Sequence, residues 1–396
     1  MSGAHQLPLP SFDRSRAVKE GQMLVVTVSL ALLSGWLLSQ LHLPAPYMLG
    51  ALLGVWGVGT LCRPIQPWLG VPRWFHVPVV LGLGVIVGAA IGPGFLQSLQ
   101  AWWLTALVLL LATLAASALG FLFLWRLRGR SQLQALLSAI PGGQTEISLI
   151  ARRYLEKDYA VMLVHLVRVS FIFLSTPLLL AVLESAGKAS GSAVAASVGR
   201  ELPGLLDLPP LRLLEFLGLA VGGFLVARGL RVPMPHLLGP MLFSLLSTAA
   251  GWVETPQPAE LVLLAQITIG GQVGARLSQL RFSQVVPYLL DGVYLSLISL
   301  SFYALAAMLV AASLGLSFIE TYLAFVPGGL YEVTLLALLF GLDVAFIAFH
   351  STLRVVLIYL ALPLLVSRSQ RSQRDAQPAA ERGLENPDQR RPYCEQ

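Results

Sequence analysis

The sequence predicts an all-α polytopic membrane protein built from two homologous halves of about five transmembrane helices each, and three observations lead there. Of the 396 residues, 56% are hydrophobic and 12% charged, which is about half the charge of an ordinary soluble protein. From Gly21 to Cys62 and from Trp74 to Trp125 there is no Asp, Glu, Lys or Arg. Each stretch is far longer than the ~20 residues that one helix needs to cross a bilayer. The third observation is an internal duplication with a period of about 186 residues, the kind of self-similarity that dictates a repeated architecture. Together these exclude a water-soluble globular enzyme.

Residues 1–22 are polar and mildly basic and lack a cleavable signal of their own, so they read as a cytoplasmic N-terminal segment ahead of a retained first span at 23–41. The first membrane repeat, 23–183, continues with apolar segments at 47–62, 75–92, 101–125 and 159–183. A connector at 184–212 leads to the second repeat, 213–366, with segments at 213–229, 236–253, 261–276, 284–313 and 344–366. Ser367 to Gln396 is rich in Arg, Gln, Pro and Glu and offers no apolar face, so it reads as a disordered cytoplasmic tail.

The duplication is carried by motifs kept in order. Leu43-Pro-Ala-Pro-Tyr-Met-Leu-Gly50 matches Val232-Pro-Met-Pro-His-Leu-Leu-Gly239, Gly84 and Gly88 match Gly270 and Gly274, and Pro141-Gly-Gly-Gln-Thr-Glu146 matches Pro327-Gly-Gly-Leu-Tyr-Glu332. Asp158, His165, Arg168 and Pro177 follow in the first half, and Asp343, His350, Arg354 and Pro363 in the second. The glycine pairs have the small-xxx-small spacing of close helix packing. Asp158 and Asp343 stand where helix caps belong, and Pro177 and Pro363 where a kink is expected. Asp291 has no repeat partner.

The Pro-Gly-Gly segments, 132–151 and 321–341, precede the last span of each half, and Pro followed by two Gly breaks a helix. They cross as broken spans or dip in and return. If they re-enter, each half has five spans and the second lies inverted relative to the first. With the N-terminus inside, the inside loops then hold Arg63, Arg73, Arg126, Arg128, Arg130, Arg152, Arg153, Lys157, Arg228, Arg231, Arg276 and Arg281. The short outside loops near 42, 92–100, 254–260 and 314–319 hold no Lys or Arg. Only the long 184–212 connector, with Lys188, Arg200 and Arg212 partly offset by Glu184, Glu201 and Asp207, is an outside segment carrying positive charge, and long loops obey the positive-inside rule weakly. That is the asymmetry expected of positively charged cytoplasmic loops, and it favours inverted repeats with re-entrant segments.

Non-helical backbone at membrane depth must be surrounded by protein or line a cavity, so two matching breaks point to one central substrate site. Gly142, Gly143, Gln144 and Thr145 in the first half and Gly328 and Gly329 in the second are its candidate binding residues. The helices starting behind them aim free N–H groups inward, which favours an anion. Glu146 and Glu332 fall in the first turn of those helices, where a carboxylate either completes the helix start or takes up a proton or Na⁺ and couples transport to an ion gradient. Arg168 and Arg354 lie within the last spans, each sharing a helix face with its histidine, His165 or His350. They either bind a substrate carboxylate or phosphate, with His as hydrogen-bonding partner, or pair with Glu146 and Glu332 to hold the broken segments.

The repeated Pro-Gly-Gly-x-x-Glu segments, the Leu-Pro-Ala-Pro-Tyr-Met-Leu-Gly stretch and the His–Arg pairs resemble those of the AbrB membrane-protein family, over about residues 23 to 367. This family is distinct from the small DNA-binding regulators of the same name. The resemblance implies a multi-pass protein of the bacterial cytoplasmic membrane. Family members carry labels such as regulator of gene expression or ammonia monooxygenase. The arrangement is also similar to that of ion-coupled organic-anion symporters with two inverted five-helix halves, although Leu330 and Tyr331 stand where the first half has Gln144 and Thr145.

The reading is therefore a proton- or sodium-coupled secondary transporter for a small polar or anionic metabolite, with a membrane-embedded regulator or sensor as the alternative. It is not read as an enzyme. No cofactor or metal is expected, because only His165 and His350 of the six histidines recur and Cys62 and Cys394 lack ligand spacing. Its partners are the lipid bilayer and a small-molecule or ion substrate, with a homo-oligomer left open. The net charge of +6 sits in clusters between apolar runs and does not imply nucleic acid.

Overall fold

The computed structural model of the protein describes residues 14–41, 45–91, 95–142, 147, 150–152, 154–155, 158–185, 203–204, 207–253, 255, 257–280 and 282–376, and every regular element among them is helical. The first half contains α1 (Arg14–Gln40), α2 (Pro46–Leu61), α3 (Arg73–Ala90), the short α4 (Phe95–Ala101), α5 (Trp103–Leu122), α6 (Gln132–Ala139) and α7 (Asp158–Ser185). The second contains α8 (Pro210–Gly229), α9 (Pro235–Ala249), α10 (Ala259–Ser278), α11 (Phe282–Leu314), α12 (Phe318–Phe325), α13 (Leu330–Leu339) and α14 (Val344–Ala376). α14 runs through Ala376, past the apolar segment and into the stretch read as a tail. The first thirteen residues, 186–202 and 377–396 lie outside the described residues.

Eight of these helices, α1, α3, α5, α7, α8, α10, α11 and α14, contain stretches long and apolar enough to cross a bilayer. The protein is therefore a multi-pass membrane protein. Side chains such as Trp36, Leu114, Leu217 and Leu309 are more than half exposed on their outer faces, where a bilayer rather than water accommodates them.

α2 and α9 take the places of the second span in each half but have only 16 and 15 residues. At 1.5 Å per residue they reach about 24 and 22 Å, short of the ~30 Å hydrocarbon core. They are held by protein instead. A Cβ added at Gly270 of α10 would lie 2.5 Å from the Met48 carbonyl oxygen of α2, and one at Gly274 would lie 2.6 Å from that of Leu52. The same contact recurs in the other half, where a Cβ at Gly84 of α3 would lie 2.7 Å from the Leu237 oxygen of α9, and Gly88 abuts the Met241 oxygen. Small residues thus let the backbones approach directly, and each half supplies the helix that the other half's glycines receive.

The starts of α2 and α9 also match. Ala45 and Met234 both adopt left-handed backbone, with φ of 51° and 49°, directly before the prolines that open the two helices. A side chain there costs on the order of 1–2 kcal/mol, and its occurrence at both repeat positions shows that the surrounding packing imposes it.

Asp291, unexplained by the repeat, is an anchor between the halves. It lies in α11, 1% exposed, and accepts from Arg128 Nε at 2.5 Å and Arg130 Nε at 2.7 Å. Both arginines belong to the turn after α5, which leaves its helix through a π-turn at Phe123–Leu127 and reverses at Gly129, φ 64°. Arg130 also stacks over Tyr288, 4.5 Å from the ring centre. The buried carboxylate thereby has both oxygens engaged by cations, which a buried charge requires.

The backbone contacts make a direct prediction. Gly57, inside α2, has open space where a Cβ would go, so Gly57→Ala should stabilise the protein by about 0.4–1 kcal/mol. Gly274→Ala should cost about 1–3 kcal/mol. Thermal unfolding in detergent measures both, and equal effects would refute backbone contact as the reason α2 tolerates its length.

Candidate functional site

The site begins with two interruptions in the helices. α6 ends at Ala139, and Gly142 takes φ 117°, a conformation only glycine adopts readily. In the second half α12 ends at Phe325, residues 326–329 are non-helical and α13 restarts at Leu330. Each interruption leaves carbonyls at the end of the preceding helix without intrahelical partners.

Two buried arginines reach carbonyls at the breaks. Arg168 of α7, 2% exposed, donates from Nη2 to the Ile140 carbonyl at 3.0 Å and to Nδ1 of His165 at 2.5 Å. His165 Nε2–H in turn donates to the Leu137 carbonyl at 2.9 Å. Arg354 of α14, 1% exposed, donates from Nη1 to the Phe325 carbonyl at 2.7 Å and from Nη2 to that of Gly328 at 3.5 Å. Each half thus closes its own break with its own arginine.

The breaks also meet the opposite half. A Cβ at Gly142 would lie 3.3 Å from Cδ1 of Ile358 on α14, and one at Gly328 would lie 3.6 Å from Cγ2 of Ile172 on α7. Ile172 and Ile358 each stand four residues beyond Arg168 and Arg354, one helical turn along the same face. Each break therefore lies between its own half's arginine and the arginine-bearing helix of the other half. Tyr303 of α11, fully buried, lies within electrostatic range of Arg168 and Arg354. Its hydroxyl faces Thr113 without making a hydrogen bond of normal geometry.

The two His–Arg pairs, alike in sequence, are used differently. His165 binds Arg168 directly, whereas His350 donates from Nδ1 to the Phe346 carbonyl at 2.7 Å and places Nε2 2.8 Å from the Thr105 hydroxyl. With an extra residue between His350 and Arg354, the ring faces the start of α5, flanked by Trp102 there and by Phe346 of α14 itself.

Pairing of Arg354 with Glu332 does not occur. The Glu332 carboxylate folds back over Gly329, into the volume that a Cβ would fill, and faces its own amide at the start of α13. Its Oε2 has no hydrogen-bond partner, although Arg276 of α10 lies within electrostatic range. Gly143, Gln144, Thr145 and Glu146 lie outside the described residues, so the first half's counterpart of this cap is not described. Asp343 does cap its helix, with Oδ1 accepting from the Phe346 amide at 2.9 Å. Among the described residues no three His, Cys, Asp or Glu side chains converge as a metal-binding group.

Sequence reasoning missed Tyr303, Thr105 and Arg276. Tyr303 stands in an uncharged run and Ser117 is its counterpart by the repeat period, so no pattern singles it out. Arg276 read only as an orientation signal at the end of an apolar segment.

Comparison with known proteins gives three findings. Residues 52–369 match the family described as Transition state regulatory protein AbrB. The chain is 24% identical over 351 residues to a Bacillus subtilis (strain 168) protein named "Uncharacterized protein YhjN", an alignment covering 85% of this chain and 90% of that protein. It is 27% identical over 353 residues to an Escherichia coli (strain K12) protein named "Putative regulator AbrB", covering 86% and 94% respectively.

The folded-back carboxylate is testable by a double-mutant cycle. Gly329→Ala forces Glu332 out of its place and should destabilise the protein by about 1–3 kcal/mol. Most of that loss should vanish in a Glu332→Ala background, because neighbouring side chains couple. Additive losses in thermal unfolding would show that Gly329 and Glu332 act independently.

Proposed function

The chain belongs to the AbrB family over residues 52–369, and from that premise we propose that it is a secondary transporter moving a small anionic or polar metabolite by alternating access, driven by a proton or sodium gradient. One observation carries the reading. At the two helix breaks, Arg168 keeps Nε and Nη1, and Arg354 keeps Nε, without hydrogen-bond partners among the described residues. Buried cations with uncommitted donors are costly in a low-dielectric interior, and an anion arriving from water supplies the missing charge and acceptors. Intramembrane arginines that face a bundle interior mark substrate and ion pathways.

In this reading Gly142, Gly143, Gln144, Thr145, Gly328 and Gly329 border the substrate, His165 and His350 hold the surrounding helices, and Glu146 and Glu332 carry the coupling ion. The protein performs no covalent chemistry on its cargo. The halves are inverted, their Pro-Gly-Gly segments re-enter, and both termini face the cytoplasm across a bacterial inner membrane. The Lys and Arg distribution supports that orientation. A second reading, a membrane-embedded regulator, is favoured by the family's description and by the name of the E. coli relative. There the same site holds a ligand and signals to a partner instead of releasing it on the other side.

Topology is the first test. Ser131 and Ser317 are exposed residues that open α6 and α12 at equivalent repeat positions. Single cysteines at these sites, in a background lacking Cys62 and Cys394, should react with an impermeant thiol reagent from opposite sides of the membrane. Reaction from one side would refute inversion.

Transport is the second. In proteoliposomes the protein should take up labelled small anions under an imposed proton or sodium gradient. Glu332→Gln should lose gradient-driven uptake while keeping equilibrium exchange, and Arg168→Lys, which keeps a cationic donor for the break but loses the guanidinium fork, should lose both. A wild-type protein that binds an anion but moves none of it would favour the regulator.

A further inference from the structure

We propose that Arg168, Arg354 and Tyr303 form a single subsite for a small dianion, with one anionic oxygen group received by each guanidinium and the Tyr303 hydroxyl as a third donor. The proposal rests on the anion-transport reading and narrows its substrate class.

The geometry supports one shared site rather than two separate ones. Gly328, whose carbonyl receives Arg354 Nη2, also abuts Ile172, one turn along α7 from Arg168. Gly142, on the Arg168 side, abuts Ile358, one turn along α14 from Arg354. Each break is therefore sandwiched between the two arginine-bearing helices. Tyr303 shares the same buried cluster as Ile172, Phe325 and Val326 and lies within electrostatic range of both guanidiniums.

Charge then sets the valence of the ligand. Both arginines are buried and lie within electrostatic range of each other, and their hydrogen bonds go to backbone carbonyls and a histidine. None of these acceptors carries negative charge. Like charges in a shared low-dielectric site repel strongly, and a monoanion neutralises only one of them. A dianion neutralises both and reaches the donors left uncommitted on each side, together with the Tyr303 hydroxyl, which faces Thr113 without a hydrogen bond of normal geometry. A site built to hydrogen-bond through such groups discriminates strongly against ligands that leave one of them unpaired.

Binding to the purified full chain in detergent tests this, read as ligand-induced thermal stabilisation at matched ionic strength. The probes are sulfate and the α,ω-dicarboxylates from oxalate to adipate, set against acetate and butyrate. At least one dianion should stabilise the wild-type protein with an apparent affinity at least 10-fold above that of either monocarboxylate. Tyr303→Phe, which removes one oxygen, should lower that ratio at least 10-fold, or about 1.4 kcal/mol, without lowering the melting temperature of the ligand-free protein. Equal stabilisation by monoanions and dianions, unaffected by Tyr303→Phe, would overturn the dianion subsite and leave anion transport standing. No stabilisation by any anion would overturn both.

Discussion

The structure depends on one constraint: a peptide group at membrane depth has no water to bond, so every interrupted helix must find its partners within the protein. The two breaks at Pro141 and Pro327 free carbonyls that the bilayer cannot solvate. Arg168 and Arg354 reach them from the last helix of each half, and the breaks are tolerated because those guanidiniums are there. The converse also holds. A buried guanidinium needs acceptors, and unwound backbone supplies them without adding a second charge. The consequence is two buried guanidiniums anchored by hydrogen bonds to neutral acceptors.

Duplication distributes this arrangement over the molecule. The glycines of α3 and α10 receive α9 and α2, so each half inserts its short second helix into the other, with backbone touching backbone. Such contacts admit little adjustment, because a displaced carbonyl has no flexible side chain to yield. Asp291 adds a tie of a different kind, joining the turn after α5 to α11 through two arginines with side chains 32% and 20% exposed. The arginines reach the surface but the carboxylate does not, so separating them would leave a buried charge uncompensated. The backbone contacts and the ion pairs between the halves are thus chemically distinct.

The halves are not equivalent at the site. His165 is bound to Arg168 and locks it against α6, whereas His350 turns away and leaves Arg354 to the carbonyls alone. Glu332 lies near Arg276, and the residue one repeat period earlier is Ala90. The charge beside Glu332 therefore has no counterpart at the equivalent sequence position of the first half.

Much of the fold was legible because its cause is local and periodic. Long uncharged runs require helices in a bilayer, Pro-Gly-Gly interrupts them, and Asp343 caps the helix after it. Arg168, Arg354 and Glu332 stood out because ionisable groups are rare in such runs. What they touch could not be read. Arg354 bonds carbonyls rather than Glu332 because the carboxylate has a nearer place over Gly329, and His350, with one extra residue before Arg354, presents its ring to another helix. Asp291 and Tyr303 acquire meaning only when α11 is set against α5 and α7. The sequence by itself determined the helices, the duplication and the positions of the breaks, all of which follow from hydropathy and backbone chemistry along the chain. Tertiary structure alone decided which buried donor meets which acceptor, because those choices depend on side-chain reach across helices far apart in sequence.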